Sequence, residues 1–243
     1  VFESSKVKLH LWLQVAYLMS ASKKGISAKQ VERMIGVTYK TAWFMCHRVR
    51  EAMRDEIVGQ LGGAGKIVEV DETYYGREDN SSKRKRPAKA GAALVEANKI
   101  VSLVERGGKV RSFHVADVTG PNLKAILESQ IDRDTHVMTD SSPRYNVVKR
   151  APSFAGYDQV NHSKGEYVRG AAHTNTVEGY FSILKRGLVG TFHHVSSQHL
   201  HRYTNEFDFR YNHRQAVGYD DVQRTQALLS GIVGKRLTYR GTH

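Results

Sequence analysis

Between residues 5 and 22 the chain carries Val7, Leu9, Leu11, Leu13, Val15, Ala16, Leu18 and Met19, a density of apolar positions that predicts a buried helix. Lys24-Gly25 interrupts it. Ser27 with Gln30 three residues on has the form of a capping box, apolar Val31, Met34 and Ile35 follow, and Gly36 closes the segment. Thr38 is placed to cap a further helix in which Ala42, Met45, Val49 and Met53 repeat at helical spacing, leaving Lys40, Arg48 and Arg50 to point elsewhere. Short helix, glycine turn, longer basic helix is the order of a helix-turn-helix, and an ordinary antiparallel helix pair gives the same pattern.

The helical pattern stops at Leu61-Gly62-Gly63-Ala64-Gly65, a candidate linker. Alternating, β-branched stretches follow at 66–75, 93–104 and 109–118, which predict three strands in a meander. A helix is expected over 121–131 and a short buried strand over 135–139. A turn and short helix after Asp140, a strand over 157–161 and helices over 176–187, 196–211 and 220–237 complete the reading. The expected organisation is a helical helix-turn-helix region at 1–60, a mixed α/β domain at 61–215 and a C-terminal helical tail at 216–243.

Composition sharpens this. Lys and Arg number 37 against 24 Asp and Glu, a formal charge of +13, which suits a polyanionic partner because binding phosphates releases condensed counterions. Hydrophobic residues at 40% can bury a core. Cys46 is the only cysteine, so neither a disulfide framework nor an all-cysteine zinc cage can form, and a reducing, cytoplasmic setting fits. No apolar run approaches the roughly 20 residues that cross a bilayer, so no membrane partner is expected. Lys83, Arg84, Lys85, Arg86 and Lys89 crowd a polar loop between the first two strands; beside a nucleic-acid site such a run grips backbone phosphate without reading sequence.

Three acids fall where a phosphodiester-cutting site can use them: Asp71 inside VEVDETYY, Asp140 closing THVMTD, and Glu178 near the start of a helix. Carboxylates from three elements can hold two Mg²⁺ ions close together. Each also has a plain reading. Asp71 with Glu69 can be the outward face of a strand whose Val68 and Val70 point inward. Asp140 before Ser-Ser-Pro is a good turn former. Asn175 and Glu178 have the spacing of a capping box. Lys185, two helical turns past Glu178, lies on roughly the same face and can hold a phosphate; with Arg186 it can equally be a surface charge.

The segments FESSKVKLHLW, GISAKQVERMIGVTYKTAWFMCHRVREAM, VEVDETYYG, VMTDSSPRY, VNHSKGEYV, HTNTVEGYFSILKRGLVGTFHHVS and HLHRYTNEFDFRYNHR span nearly the whole chain. Through them it resembles bacterial insertion-sequence DDE transposases of the ISXO-like group. The resemblance implies an α/β, RNase H-like mixed-sheet catalytic domain behind a small helical helix-turn-helix domain. It implies Asp71, Asp140 and Glu178 as catalytic, metal-binding acids for two Mg²⁺ or Mn²⁺ ions, and Lys185 as the lysine after the third acid. Some relatives use asparagine as third ligand, and Asn175 is the alternative here. A carboxylate binds a hard cation better than an amide, which favours Glu178.

On this reading residues 25–54 contact transposon-end DNA, with Lys40, Arg48, Arg50, Lys83, Arg84, Lys85, Arg86, Lys89, Lys185 and Arg186 as DNA contacts. Hydrolysis frees a 3′-hydroxyl at the element's end, and that hydroxyl then joins to target DNA. Joining two ends implies a homodimer or larger synaptic assembly. His162, His173 and His193 lie in family-like segments and receive no role. Relatives begin with a cysteine-rich zinc ribbon that this sequence lacks, which implies a trimmed form. The alternatives are an RNase H-like nuclease without strand transfer and a DNA-binding regulator with an inert catalytic domain.

Overall fold

The computed structural model describes residue 2 and residues 5–54, 59–76, 97–150, 153–160 and 173–237. The first apolar run forms α1 (Leu9–Ala21), which buries Trp12, Val15, Ala16 and Met19. Ser27 opens α2 (Ala28–Ile35) by accepting the Gln30 backbone N–H, and Gly36 ends it at φ 70°, a left-handed conformation that glycine adopts without steric penalty. Thr38 accepts the Thr41 N–H and starts α3 (Tyr39–Ala52). Only the first turn of α3 is exposed; from Met45 to Arg50 every residue is buried.

The sheet has the order β3-β2-β1-β4-β5. Strands β1 (Ile67–Tyr75), β2 (Asn98–Glu105) and β3 (Val110–Val115) form the expected antiparallel meander. Helix α4 (Gly120–Gln130) then carries the chain across to β4 (His136–Asp140), parallel to β1, and β5 (Gly156–Val160) follows after α5 (Asn146–Arg150), parallel to β4. A meander flanked by two parallel strands next to its first member is the RNase H-like arrangement. The two long helices α6 (Asn175–Gly190) and α7 (Ser197–Asn212) come next, then α8 (Asp221–Ser230).

Strand alternation sorts the side chains of β1 onto two covered faces. Val68 and Val70 pack with Val101, Leu103, Leu123, Leu127, Tyr145 and Val148 on the α4 and α5 side. Tyr75, with Ile100 and Val104, packs against Val177, Tyr180 and Leu184 of α6 and Leu200, Tyr203 and Phe207 of α7. A third cluster joins Trp12, Met19, Val31, Met45 and Val49 of the first three helices to Phe209 of α7 and Leu228 of α8. The first and last segments of the chain therefore share one core, with α7 reaching from it to the sheet. Helix α8 stops at Ser230 rather than Leu237, with Gly231, a poor helix former, at its C-cap; a Cβ there would stand 2.7 Å from the Ala52 carbonyl oxygen, which is why the position takes glycine.

Close approach also explains a glycine inside α6. A Cβ on Gly187 would lie 2.2 Å from Phe207 Cζ and 2.7 Å from the Lys24 carbonyl oxygen, whereas one on Gly179 would meet no heavy atom within 4 Å. Alanine at position 187 is therefore expected to destabilise by about 1–3 kcal/mol through overpacking, although it improves helix propensity. Alanine at position 179 gains propensity alone, about 1 kcal/mol. Thermal melts of the two variants should move in opposite directions; a rise in both would remove the close approach as the reason for Gly187.

Candidate active site

Parallel pairing of β1 with β4 sets the register Glu69↔Met138 and Val70↔Thr139. The next residues are Asp71, midway along β1, and Asp140, the last residue of β4, side by side and, by alternation, on the face covered by α6. Helix α6 packs against β1, and Glu178 stands exposed in its first turn. The three acids share one electrostatic environment. Burial pushes the Asp71 carboxyl up to about 7, the charges of Glu72, Asp140 and Glu178 push the same way, and the Glu72 backbone N–H opposes them. That N–H donates to Asp71 Oδ1 at 2.8 Å. Asp140 Oδ1 accepts the Ser142 N–H at 3.0 Å, so the turn-forming role read from Ser-Ser-Pro is also present.

Neighbouring residues hold this end of the sheet. Glu72, on the opposite face, accepts from Arg144 at 2.5 Å and from the Tyr145 hydroxyl at 2.7 Å, tying the segment after Asp140 back to β1. Glu69 is fully buried. The sequence pattern rightly puts it on the same face as Asp71, but that face meets α6 instead of water. Its carboxylate accepts the backbone N–H groups of Thr176 at 2.8 Å and Val177 at 3.0 Å and the side chain of Arg106 at 2.6 Å.

The donor set suits a hard divalent cation: three carboxylates, one with its charged form disfavoured by burial and by like-charged neighbours. Among the described residues no three His, Cys, Asp or Glu side chains close into a cage around an ion. Mg²⁺ in general takes one or two protein carboxylates together with waters and substrate phosphate oxygens, so its site need not be a cage of protein ligands alone.

The remaining expected site residues separate cleanly. Asn175 is the first, exposed residue of α6, and the cap position belongs to Thr174, so the Asn175–Glu178 capping box is not formed. Glu178 instead accepts from the Thr174 hydroxyl at 3.1 Å. The physical reason is that the helix starts one residue earlier: the Glu178 backbone N–H, which such a box would give to the Asn175 side chain, donates to the Thr174 carbonyl at 3.1 Å. Lys185 is exposed on the stripe of α6 that carries Asn175, Glu178 and Ser182, and exposed Arg186 donates back to the Ser182 carbonyl at 2.9 Å. Lys40 is exposed at the start of α3.

Arg48 and Arg50 require correction as surface DNA contacts. Arg48 is 6% exposed, with its guanidinium over Trp12 and Phe44. Arg50 is 2% exposed and pairs with Glu206 at 2.6 Å. Both lie on the part of α3 that turns into the molecule, Arg48 packed against α1 and Arg50 against α7. Lys83, Arg84, Lys85, Arg86, Lys89 and His162 lie outside the described residues. His173 precedes α6 and presents its carbonyl to Arg106, and His193 takes φ 61° in the turn after α6. Sequence reasoning missed Glu69 and Arg106. The available signal was a second acid two positions before Asp71 on the same strand face.

A family model described as an ISXO2-like transposase domain matches residues 60–212. A protein of Halobacterium salinarum described as an uncharacterized protein in transposable element ISH50 is 28% identical over 219 residues, covering 86% of this chain and 72% of that protein. Among solved structures, the Mos1 strand transfer complex aligns over 95% of this chain and 77% of that one, at 10% identity and TM-score 0.37. The simian T-cell lymphotropic virus intasome in complex with the PP2A regulatory subunit B56 gamma aligns over 95% and 75%, at 14% identity and TM-score 0.38. Since the family match takes in all five strands, α6, α7 and the three acids, well over half of the chain, the chain belongs to the family of ISXO2-like transposase domains.

Proposed function

We propose that this chain cleaves transposon-end DNA and joins the freed 3′-hydroxyl to target DNA, with Asp71, Asp140 and Glu178 holding two Mg²⁺ or Mn²⁺ ions. What supports this reading is the β1–β4 register that puts Asp71 beside Asp140, the packing of α6 with Glu178 in its first turn against β1, and the charge of both other acids felt at Asp71. Such ions, when bound, supply activation of the attacking oxygen and stabilisation of the leaving one. Asp71 and Asp140 present carboxylate oxygens from two adjacent strands, and Glu178 presents its own from the facing helix. In each displacement one P–O bond forms and one breaks, and the leaving oxygen keeps the electron pair and takes up a proton.

The exposed stripe of α6 is the DNA face of this reading, with Lys185 and Arg186 on phosphates beyond Glu178. Lys40 and its neighbours in the first turn of α3 reach end DNA, in keeping with the base contacts that recognition helices make from their N-terminal residues. Lys83, Arg84, Lys85, Arg86 and Lys89 supply further phosphate contacts. Joining two ends calls for a dimer or larger assembly. Among the described residues no helix is long and apolar enough to cross a membrane.

The test is Mn²⁺-dependent cleavage of supercoiled and element-end DNA by the wild-type chain and by Asp71→Asn, Asp140→Asn and Glu178→Gln, with DNA binding measured beside it. Each variant is expected to lose cleavage by on the order of 10³-fold or more while binding DNA normally. Unchanged cleavage in any one removes that acid from the site. Strand transfer by the wild type, scored as joined product, separates the transposase from a simple nuclease.

A further inference from the structure

Glu69 sits two residues before Asp71 on β1, with no solvent exposure. Its Oε2 accepts the N–H of Thr176 at 2.8 Å and of Val177 at 3.0 Å; its Oε1 accepts the Thr176 hydroxyl at 2.9 Å and Arg106 Nε at 2.6 Å. Arg106 in turn donates to the His173 carbonyl at 2.7 Å and to the Met138 sulfur at 3.0 Å, and its backbone N–H donates to the Ile67 carbonyl at 3.0 Å. One carboxylate and one guanidinium thus bind β1, the β2–β3 turn, β4 and the start of α6 to one another.

We propose that Glu69 is a positioning residue of the reaction: by clamping the N-terminal turn of α6 to β1, it sets the third acid, Glu178, against the first, Asp71. The inference rests on the reading of Asp71, Asp140 and Glu178 as the metal-binding acids. The lever arms are short. Glu69 lies two residues from Asp71, and its helix contacts, Thr176 and Val177, lie two and one residues from Glu178. At 1.5 Å of rise per helical residue, a one-residue slip at the clamp misplaces Glu178 by more than a metal pair tolerates. A carboxylate at this point also satisfies helix N–H groups that have no partner within the helix and complements the helix dipole. A buried ion pair in itself contributes little net stability, whereas losing one partner is costly, which suits a device for placement.

The measurement is the Mn²⁺ dependence of Glu69→Gln, which keeps shape and one acceptor but loses the charge. It is read as direct Mn²⁺ binding by electron paramagnetic resonance and as the Mn²⁺ concentration for half-maximal cleavage, both below the variant's melting range. Loss of support behind metal ligands typically weakens affinity by about 10–100-fold, and a shift of that size in both readouts is expected, with DNA binding unchanged. Thr176→Val, which removes one hydrogen bond and should fold in any case, is expected to shift the same readouts in the same direction by a few-fold. Gly187→Ala is the control for mere destabilisation: it loosens the far end of the same helix and should leave Mn²⁺ dependence unmoved.

Wild-type Mn²⁺ dependence in Thr176→Val and in folded Glu69→Gln overturns the positioning role. Should Glu69→Gln not fold, Thr176→Val alone decides. Glu178→Gln run in parallel separates the two hypotheses, since an active Glu178→Gln overturns the three-acid reading itself. An inactive Glu178→Gln beside unshifted clamp variants overturns only the clamp.

Discussion

Glu206→Ala is expected to lower the unfolding free energy by about 3–5 kcal/mol, the range for stripping one partner from a buried ion pair. Glu206 is fully buried on α7 and receives two guanidiniums, Arg50 of α3 at 2.6 Å and Arg210 one turn along α7. Burial alone would raise its pKa, but the charges and hydrogen bonds of Arg50 and Arg210 outweigh it and hold the carboxyl below its ordinary value. Without the carboxylate, two cations remain in a space where Arg50 already packs over the rings of Tyr203 and Phe192, 4.0 and 5.2 Å from their centres. Glu206→Gln keeps an acceptor and should cost less. Urea unfolding followed by far-UV circular dichroism reads both. A Glu206→Ala midpoint within 1 kcal/mol of wild type, the size of an exposed pair, would show that water reaches this site.

The same triad bears on how the molecule is divided. It joins the inner half of α3 to α7, and α7 packs on β3 and lines the sheet core. The first turn of α3 is thereby connected through α7 to the sheet that carries Asp71. The sequence order of a small helical region followed by an α/β region is present, but α7 and α8 return to complete the first core.

What the sequence disclosed and what it hid follow one physical line. Periodicity reports which side of an element is apolar, and so the meander, α4, β4, α6 and α7 were legible, as were Ser27, Gly36 and Thr38 at their helix ends. It also put Asp71 opposite Val68 and Val70. Periodicity does not report what covers a polar face. Glu69, Arg48 and Arg50 look like surface charges in the sequence, yet each is buried against a partner far along the chain: Thr176, Trp12 and Glu206 respectively. How Asp71, Asp140 and Glu178 are placed relative to one another depends on the β1–β4 register and on the anchoring of α6, both set by tertiary contacts. Motif resemblance named the acids; spacing alone left each with a plain alternative.

The seam between α3 and α7 also gives the chain an acid sensitivity. His47 is fully buried, with its ring centre 4.1 Å from that of Trp43, 5.0 Å from His199 and 5.6 Å from Tyr203. Burial, then the charges of Arg50, His199, Arg202 and His201, push its pKa down to about 2. An unfolded histidine titrates near 6.5. Above that pH neither state holds the proton and the shift costs nothing. Below it the unfolded chain takes up a proton that the folded chain refuses, so stability falls as pH falls, by up to about 1.4 kcal/mol per pH unit for this one group. His199 and His201, lowered in the same direction, add to the slope. His47→Phe keeps the ring stack and removes the proton site. Its urea stability between pH 7.5 and 5 is expected to decline less steeply than that of wild type by about one proton's worth, with the two curves parallel above pH 7. Equal slopes across the acid range would mean that His47 accepts its proton in the folded state, and the seam would then have to open to water around it.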